Sequence, residues 1–100
     1  MFVHIVFWRL KESANGKSSQ DNALEMQRRF AALPGVIVDM PRCNLGIDIS
    51  RTDQSADVAL YTEFTSKAAY ETYVVHPAHQ DIVAFVKTIV AERRVADYEI

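Results

Sequence analysis

The segment Phe2 to Leu10 (FVHIVFWRL) carries large apolar side chains on both of its alternating sets of positions. The even set is Phe2, His4, Val6, Trp8 and Leu10; the odd set is Val3, Ile5, Phe7 and Arg9. Its β-branched and aromatic content predicts a strand. A strand with one wet face alternates apolar with polar residues, so this one is expected to be covered on both sides. Leaving one large apolar side chain in water forfeits about 1.5–3 kcal/mol. Any fold built on this strand must therefore supply two covers.

The rest of the chain supplies one of them. One hundred residues suit a single domain, expected to span positions 1–100. Lys11 to Lys17 contains Asn15-Gly16 and reads as a loop. Ser18 or Ser19 can cap a helix in which Ala23, Met26, Phe30 and Leu33 share one face, and Pro34-Gly35 ends it. Val36 to Leu45 is predicted as a second strand, with Pro41 marking an edge or a bulge. The polar stretch Gly46 to Ala56 reads as a surface loop, with Asp48, Asp53 and Asp57 solvated, and Asp57 to Phe64 as a third strand. Thr65 or Ser66 can cap a second helix running to about Val75, where Pro77 interrupts it. A third helical segment is predicted to reach about Glu92, and Val95 to Ile100 a final strand.

The resulting order, β-α-β-β-α-β, is the ferredoxin-like pattern of α+β proteins: a four-stranded antiparallel sheet with helices on one face. The other face then needs a partner, and a second copy is the simplest one. Two sheets packed face to face give a dimeric α/β barrel with the helices outside. Val3, Ile5 and Phe7 are expected to meet the partner subunit. The even positions of the same strand are expected to face the helices.

The sequence also excludes several functions. Eleven Lys and Arg against thirteen Asp and Glu leave a net charge of −2, with no basic excess for a nucleic-acid partner. No apolar run approaches the roughly 18 residues of a membrane span. The N-terminal stretch lacks a basic leader and a small-residue cleavage site, and reads as a strand rather than a signal peptide. Cys43 is the only cysteine, which forbids an intrachain disulfide and fits a cytoplasmic location.

The chemistry-bearing residues concentrate in Tyr73-Val-Val-His76-Pro77-Ala-His79-Gln80. A histidine titrating near neutrality and a phenol can form a general acid/base pair. Tyr73 closes the apolar stripe of the second helix and His79 lies in the first turn of the third, so both can look into the space between helices and sheet. His4 can join them there from the first strand. The alternative is structural: His79 bonded to a neighbouring group, Tyr73 packed, His4 a buried and hydrogen-bonded histidine, and His76 shaping the turn before Pro77. No two histidines sit four apart on one helix, so no metal site is expected. No cofactor is expected either. Cys43 reads as a small buried hydrophobe rather than a nucleophile.

Val3-His4-Ile5-Val6, Leu33-Pro34-Gly35-Val36, Asp57-Val-Ala-Leu-Tyr61, the HPAHQ run at 76–80 and Val95-Ala-Asp97-Tyr98-Glu99 together resemble the stress-responsive A/B barrel (Dabb) family over essentially the whole chain. The resemblance implies a dimeric α+β barrel. It also implies candidate chemistry, because a plant polyketide cyclase of this family closes a linear tetraketide by aldol condensation. Matched by motif, that enzyme's acid/base pair falls on His79 and Tyr73, and its first-strand histidine on His4. The expected ligand is a small apolar or phenolic carbonyl compound, held in a cavity lined by Val6, Trp8, Met26, Phe30 and Ile82. The bulk of Trp8, Met26 and Phe30 is expected to fill part of that cavity. Other family members are stress-associated proteins without an assigned activity, which leaves a non-catalytic dimeric module as the rival reading. A monooxygenase of the same barrel architecture is a further alternative.

Overall fold

The computed structural model describes residues 1–100. Strand β1 (Phe2–Leu10) is followed by two short strands, β2 (Ser13–Ala14) and β3 (Lys17–Ser18), and by helix α1 (Ser19–Ala31). Strands β4 (Arg42–Ile47) and β5 (Val58–Phe64) come next, then helices α2 (Lys67–Val75) and α3 (Pro77–Ile89), and finally strand β6 (Val90–Glu99). The main sheet has the order β4-β5-β1-β6, with every pairing antiparallel. This is the ferredoxin-like α+β arrangement, with the helices on one face.

Local signals placed several elements. Asn15 and Gly16 take φ values of 56° and 73°, the left-handed pair a tight hairpin turn needs, so the predicted loop after β1 contains a small hairpin. Ser18 caps α1 by accepting the Asp21 amide, and Ser66 caps α2 by accepting the Ala69 amide. His76 does the same for α3, its Nδ1 accepting the Ala78 amide, with Pro77 at the first helical position. The turn at 76–77 therefore separates two properly capped helices.

Three predicted boundaries were wrong. Strand β4 begins at Arg42, not Val36. The amides of Val36 and Ile37 both bond to the Leu33 carbonyl, and Asp39 sits at φ 59°, so this stretch is a turn. Its apolar alternation was misleading: Ile37 and Met40 plug the core, while Val36 and Val38 lie in solvent. Helix α3 ends at Ile89, not Glu92, and β6 starts at Val90, not Val95. Pairing with β1 decides this. Leu10 is opposite Val90, Arg9 is opposite Glu92, and Ala91 is the extra residue at the bulge between them.

The register assigns the faces of the sheet. Phe2, Val6, Trp8 and Leu10 are buried in the core with Leu60, Phe64, Met26 and Phe30. The odd positions of β1 look the other way. Val3 is already buried within the single chain, Ile5 is half-buried, and Phe7 is 46% exposed. Helix α1 is tied to α3 by Arg29, whose guanidinium lies 4.1 Å from the centre of the Phe85 ring.

Asp57 is structural rather than solvated. Its amide donates to the Trp8 carbonyl (2.8 Å), and its carboxylate accepts the Leu10 amide (2.7 Å), continuing the ladder past the start of β5. Asp57→Ala removes that acceptor. It should cost about 1–3 kcal/mol of unfolding free energy in urea titrations, whereas Asp53→Ala should change stability by less than about 0.5 kcal/mol.

Candidate functional site

The apolar sheet face is crossed by one row of polar side chains. Pairing places Cys43, Thr62, His4 and Asp97 directly opposite one another on β4, β5, β1 and β6. Thr62 is fully buried and donates to the His4 carbonyl at 2.7 Å. His4, 5% exposed, meets Asp97 with Nδ1 to Oδ1 at 2.5 Å. An ionised carboxylate only accepts, so Nδ1 carries the proton in this bond.

Helices α2 and α3 lay an aromatic chain over this row. The ring of Tyr70 is 4.8 Å from that of His4, Tyr73 is 6.3 Å from Tyr70, and His79 is 4.0 Å from Tyr73. Tyr70 also stacks on Phe2 at 4.7 Å. The spacing that joins Tyr73 to His79 comes from the break at Pro77, which turns the start of α3 back towards the end of α2.

Each ionisable group is held in one state. His79 Nδ1 bonds to the Val74 carbonyl at 3.1 Å. A carbonyl can only accept, so the proton is on Nδ1 and Nε2 is a free base. Burial lowers the His79 pKa, outweighing the Val74 hydrogen bond, and keeps the ring neutral at pH 7. Burial raises the Tyr73 pKa well above the ordinary phenol value, so its hydroxyl stays protonated. Burial, and then the charge of Asp97, raises that of Tyr70. The Tyr73 hydroxyl is buried and has no hydrogen-bond partner within the protein. Cys43 is also desolvated, its thiol pushed up to about 11, so it is no nucleophile at neutral pH.

The aromatic chain His4–Tyr70–Tyr73–His79, but not Cys43, Thr62 or Asp97, borders a cavity of about 320 Å³ between α2, α3 and the β1–β6 half of the sheet. His4, Tyr73 and His79 all reach it, together with Val6, Trp8, Phe30 and Ile82. Met26, expected to line it, does not. Its side chain is fully buried in the hydrophobic core and does not border the cavity. Trp8 and Phe30, 6.0 Å apart, border the space without closing it. His76 is consumed as the α3 cap. No cluster of three His, Cys, Asp or Glu side chains is arranged to hold a metal ion.

Sequence reasoning did not single out Asp97, Thr62 or Tyr70 as site residues. The usable signal was the antiparallel pairing of the first and last strands, which sets position 4 against position 97.

A family model described as the stress responsive A/B barrel domain matches residues 2–100. The chain belongs to the Dabb family. A dimeric protein of ferredoxin-like fold from Bacteroides fragilis superposes with a TM-score of 0.84 at 22% identity, covering 99% of this chain and 95% of its own. A protein from Arabidopsis thaliana gives 0.80 at 24% identity, covering 100% and 95%. A hydroxynitrile lyase from Passiflora edulis gives 0.79 at 20% identity, covering 99% and 92%. No protein of curated function matches the chain. At these identities the structural likeness establishes the fold of this Dabb domain.

An unpartnered buried hydroxyl destabilises a fold. Tyr73→Phe keeps the ring and removes the orphan, so it should raise unfolding free energy by about 1 kcal/mol or more. Denaturant unfolding checks this; a loss of stability would mean the hydroxyl has a partner in solution.

Proposed function

We propose that this Dabb protein is an acid–base catalyst acting on a small, largely apolar carbonyl or phenolic compound bound between helices and sheet. One observation carries the reading. A neutral histidine with a free Nε2 packs against a buried phenol with no partner, at the edge of an apolar cavity. In a structural cluster both groups tend to be satisfied; here each has capacity left for a ligand.

The chemistry follows from those states. Nε2 of His79 takes a proton from an acidic O–H, or from a C–H beside a carbonyl. The Tyr73 hydroxyl donates to the oxygen that gains negative charge, and its raised pKa keeps that proton in place until then. The imidazolium then returns the proton to carbon or to a leaving group. His4, oriented by Asp97, is a second base on the opposite wall. Aldol-type cyclisation and lyase reactions both use these steps. The Passiflora edulis relative is named a hydroxynitrile lyase, and splitting a hydroxynitrile begins with loss of its hydroxyl proton.

A screen of aromatic hydroxynitriles and linear polyketides, each tested with and without a carboxylate on the apolar body, should find turnover. His79→Ala should lower kcat/KM by about 10²–10⁴-fold and Tyr73→Phe by about 10²–10³-fold. Activity should fall only as pH drops through the depressed His79 pKa, placing the acid limb below the ordinary histidine value of about 6.5. Undiminished turnover in the Tyr73→Phe/His79→Ala double variant would sink the proposal. The rival is a non-catalytic dimeric module, favoured by the fact that both Nδ1 atoms are bonded inside the fold. It predicts no His79-dependent ligand binding at all.

We also propose a homodimer closed over the open sheet face. The support is the exposure of Phe7 and Tyr98 on the open face of a finished sheet, and the dimeric relative from Bacteroides fragilis. Ile5 and Phe7 then meet the partner, while Val3 contributes little new burial. Light scattering should give the mass of two chains. Phe7→Glu should shift the protein to monomer, and a wild-type monomer at micromolar concentration would overturn the assignment.

A further inference from the structure

We propose that the ligand of this cavity is an anion, a carboxylate on an apolar body, held at the rim by Lys87 and Arg93. This rests on the cavity being a ligand site, as proposed above, and adds the charge of what it takes.

The first observation is the sign of the lining. Lys87 and Arg93 border the cavity, and no Asp or Glu side chain does. The bias runs against composition, because the chain has thirteen acidic residues to eleven basic ones. The second is that both cations are free. The ion pairs of the protein engage His4, Arg9, Arg28, Arg29, Arg42 and Arg94, but neither Lys87 nor Arg93. The contrast with Arg94 is direct. That neighbour points to the opposite sheet face and is paired with Glu92 at 3.0 Å.

The third observation is placement. His79, Val83 and Lys87 recur every four residues along α3 and all reach the cavity. At 1.5 Å per residue, the base and the cation are about 12 Å apart along the helix. On the sheet, Arg93 is opposite Trp8 as Asp97 is opposite His4, giving the same separation of ends. Val83, Val86 and Val90 lie along the cavity, with Trp8 and Val6 on the sheet side. The space is therefore graded: acid–base groups at one end, apolar walls between, and unpaired positive charge at the other.

An isolated cation beside an apolar wall gains little from water-screened partners but more from a carboxylate that brings its own apolar body with it. Partly exposed pairs contribute about 0.2–1 kcal/mol each, so two cations should give roughly a tenfold preference for an anion over its neutral isostere.

The test uses unreactive probes, so that it is independent of turnover. Binding of 3-phenylpropanoate and of 3-phenylpropanamide is measured by calorimetry to the full chain. The expected result is about tenfold tighter binding of the carboxylate, weakening with added salt, while the amide is salt-insensitive. Lys87→Gln/Arg93→Gln should equalise the two probes and leave the amide unchanged. Lys87→Arg/Arg93→Lys, which keeps charge but changes shape, should restore the preference. Equal affinities in the wild type would overturn the anion inference while leaving the acid–base reading standing. A preference that survives in the Gln/Gln variant would overturn the role of these two residues. Failure of both probes to bind at millimolar concentration would remove both the anion inference and the cavity as a site for such ligands.

Discussion

Everything in this molecule is referred to strand β1, because it is paired on both edges. Its ladder with β5 sets Thr62 against His4, and its ladder with β6 sets Asp97 against the same residue. A slip of one residue in either ladder would turn the neighbouring side chains to the wrong face. The apolar even positions prevent it, since Phe2, Val6, Trp8 and Leu10 would all leave the core together. The hydrophobic pattern thus does more than stabilise. It fixes the register that brings a histidine from residue 4 and a carboxylate from residue 97 within hydrogen-bonding distance.

That arrangement carries a cost which the rest of the fold offsets. A histidine, a threonine and a tyrosine hydroxyl lie in the driest part of the protein, and one of those polar groups is unsatisfied. Burial holds His79 neutral and Tyr73 protonated, opposite consequences for a base and an acid from a single cause. Pairs of groups prepared in this way are characteristic of acid–base sites, and stability is commonly sacrificed to keep them. The loss is carried by a continuous core of β1, β5 and the three helices.

How much of this was legible in the sequence depends on the range of the interaction. The capping serines, the Asn15-Gly16 turn and the Pro77 break are local chemistry, and each marked its element correctly. Val36 to Pro41 failed because alternation is only a proxy for pairing. The segment alternates, yet its amides close on Leu33. The early start of β6 failed for the converse reason. Residues 90 to 94 continue a helical pattern, and only the demand of Leu10 and Arg9 for a partner draws them into the sheet. In the site, His79 and Tyr73 were visible as a motif six residues apart. Asp97 and Tyr70 were not, because Asp97 stands out only once the first and last strands are paired and Tyr70 only once α2 packs over His4.

By itself the sequence determined that β1 is apolar on both faces, that the elements run β-α-β-β-α-β, and that a tyrosine and two histidines gather around the Pro77 break. These follow from side-chain periodicity and backbone chemistry within a few residues. Tertiary structure alone decided that Met26 belongs to the core and not to the cavity, that roughly 320 Å³ remains open beside Trp8 and Phe30, and that Lys87 and Arg93 stand unpaired at its rim. Free volume and ion pairing depend on how side chains from distant segments pack together, and a linear pattern carries no distances.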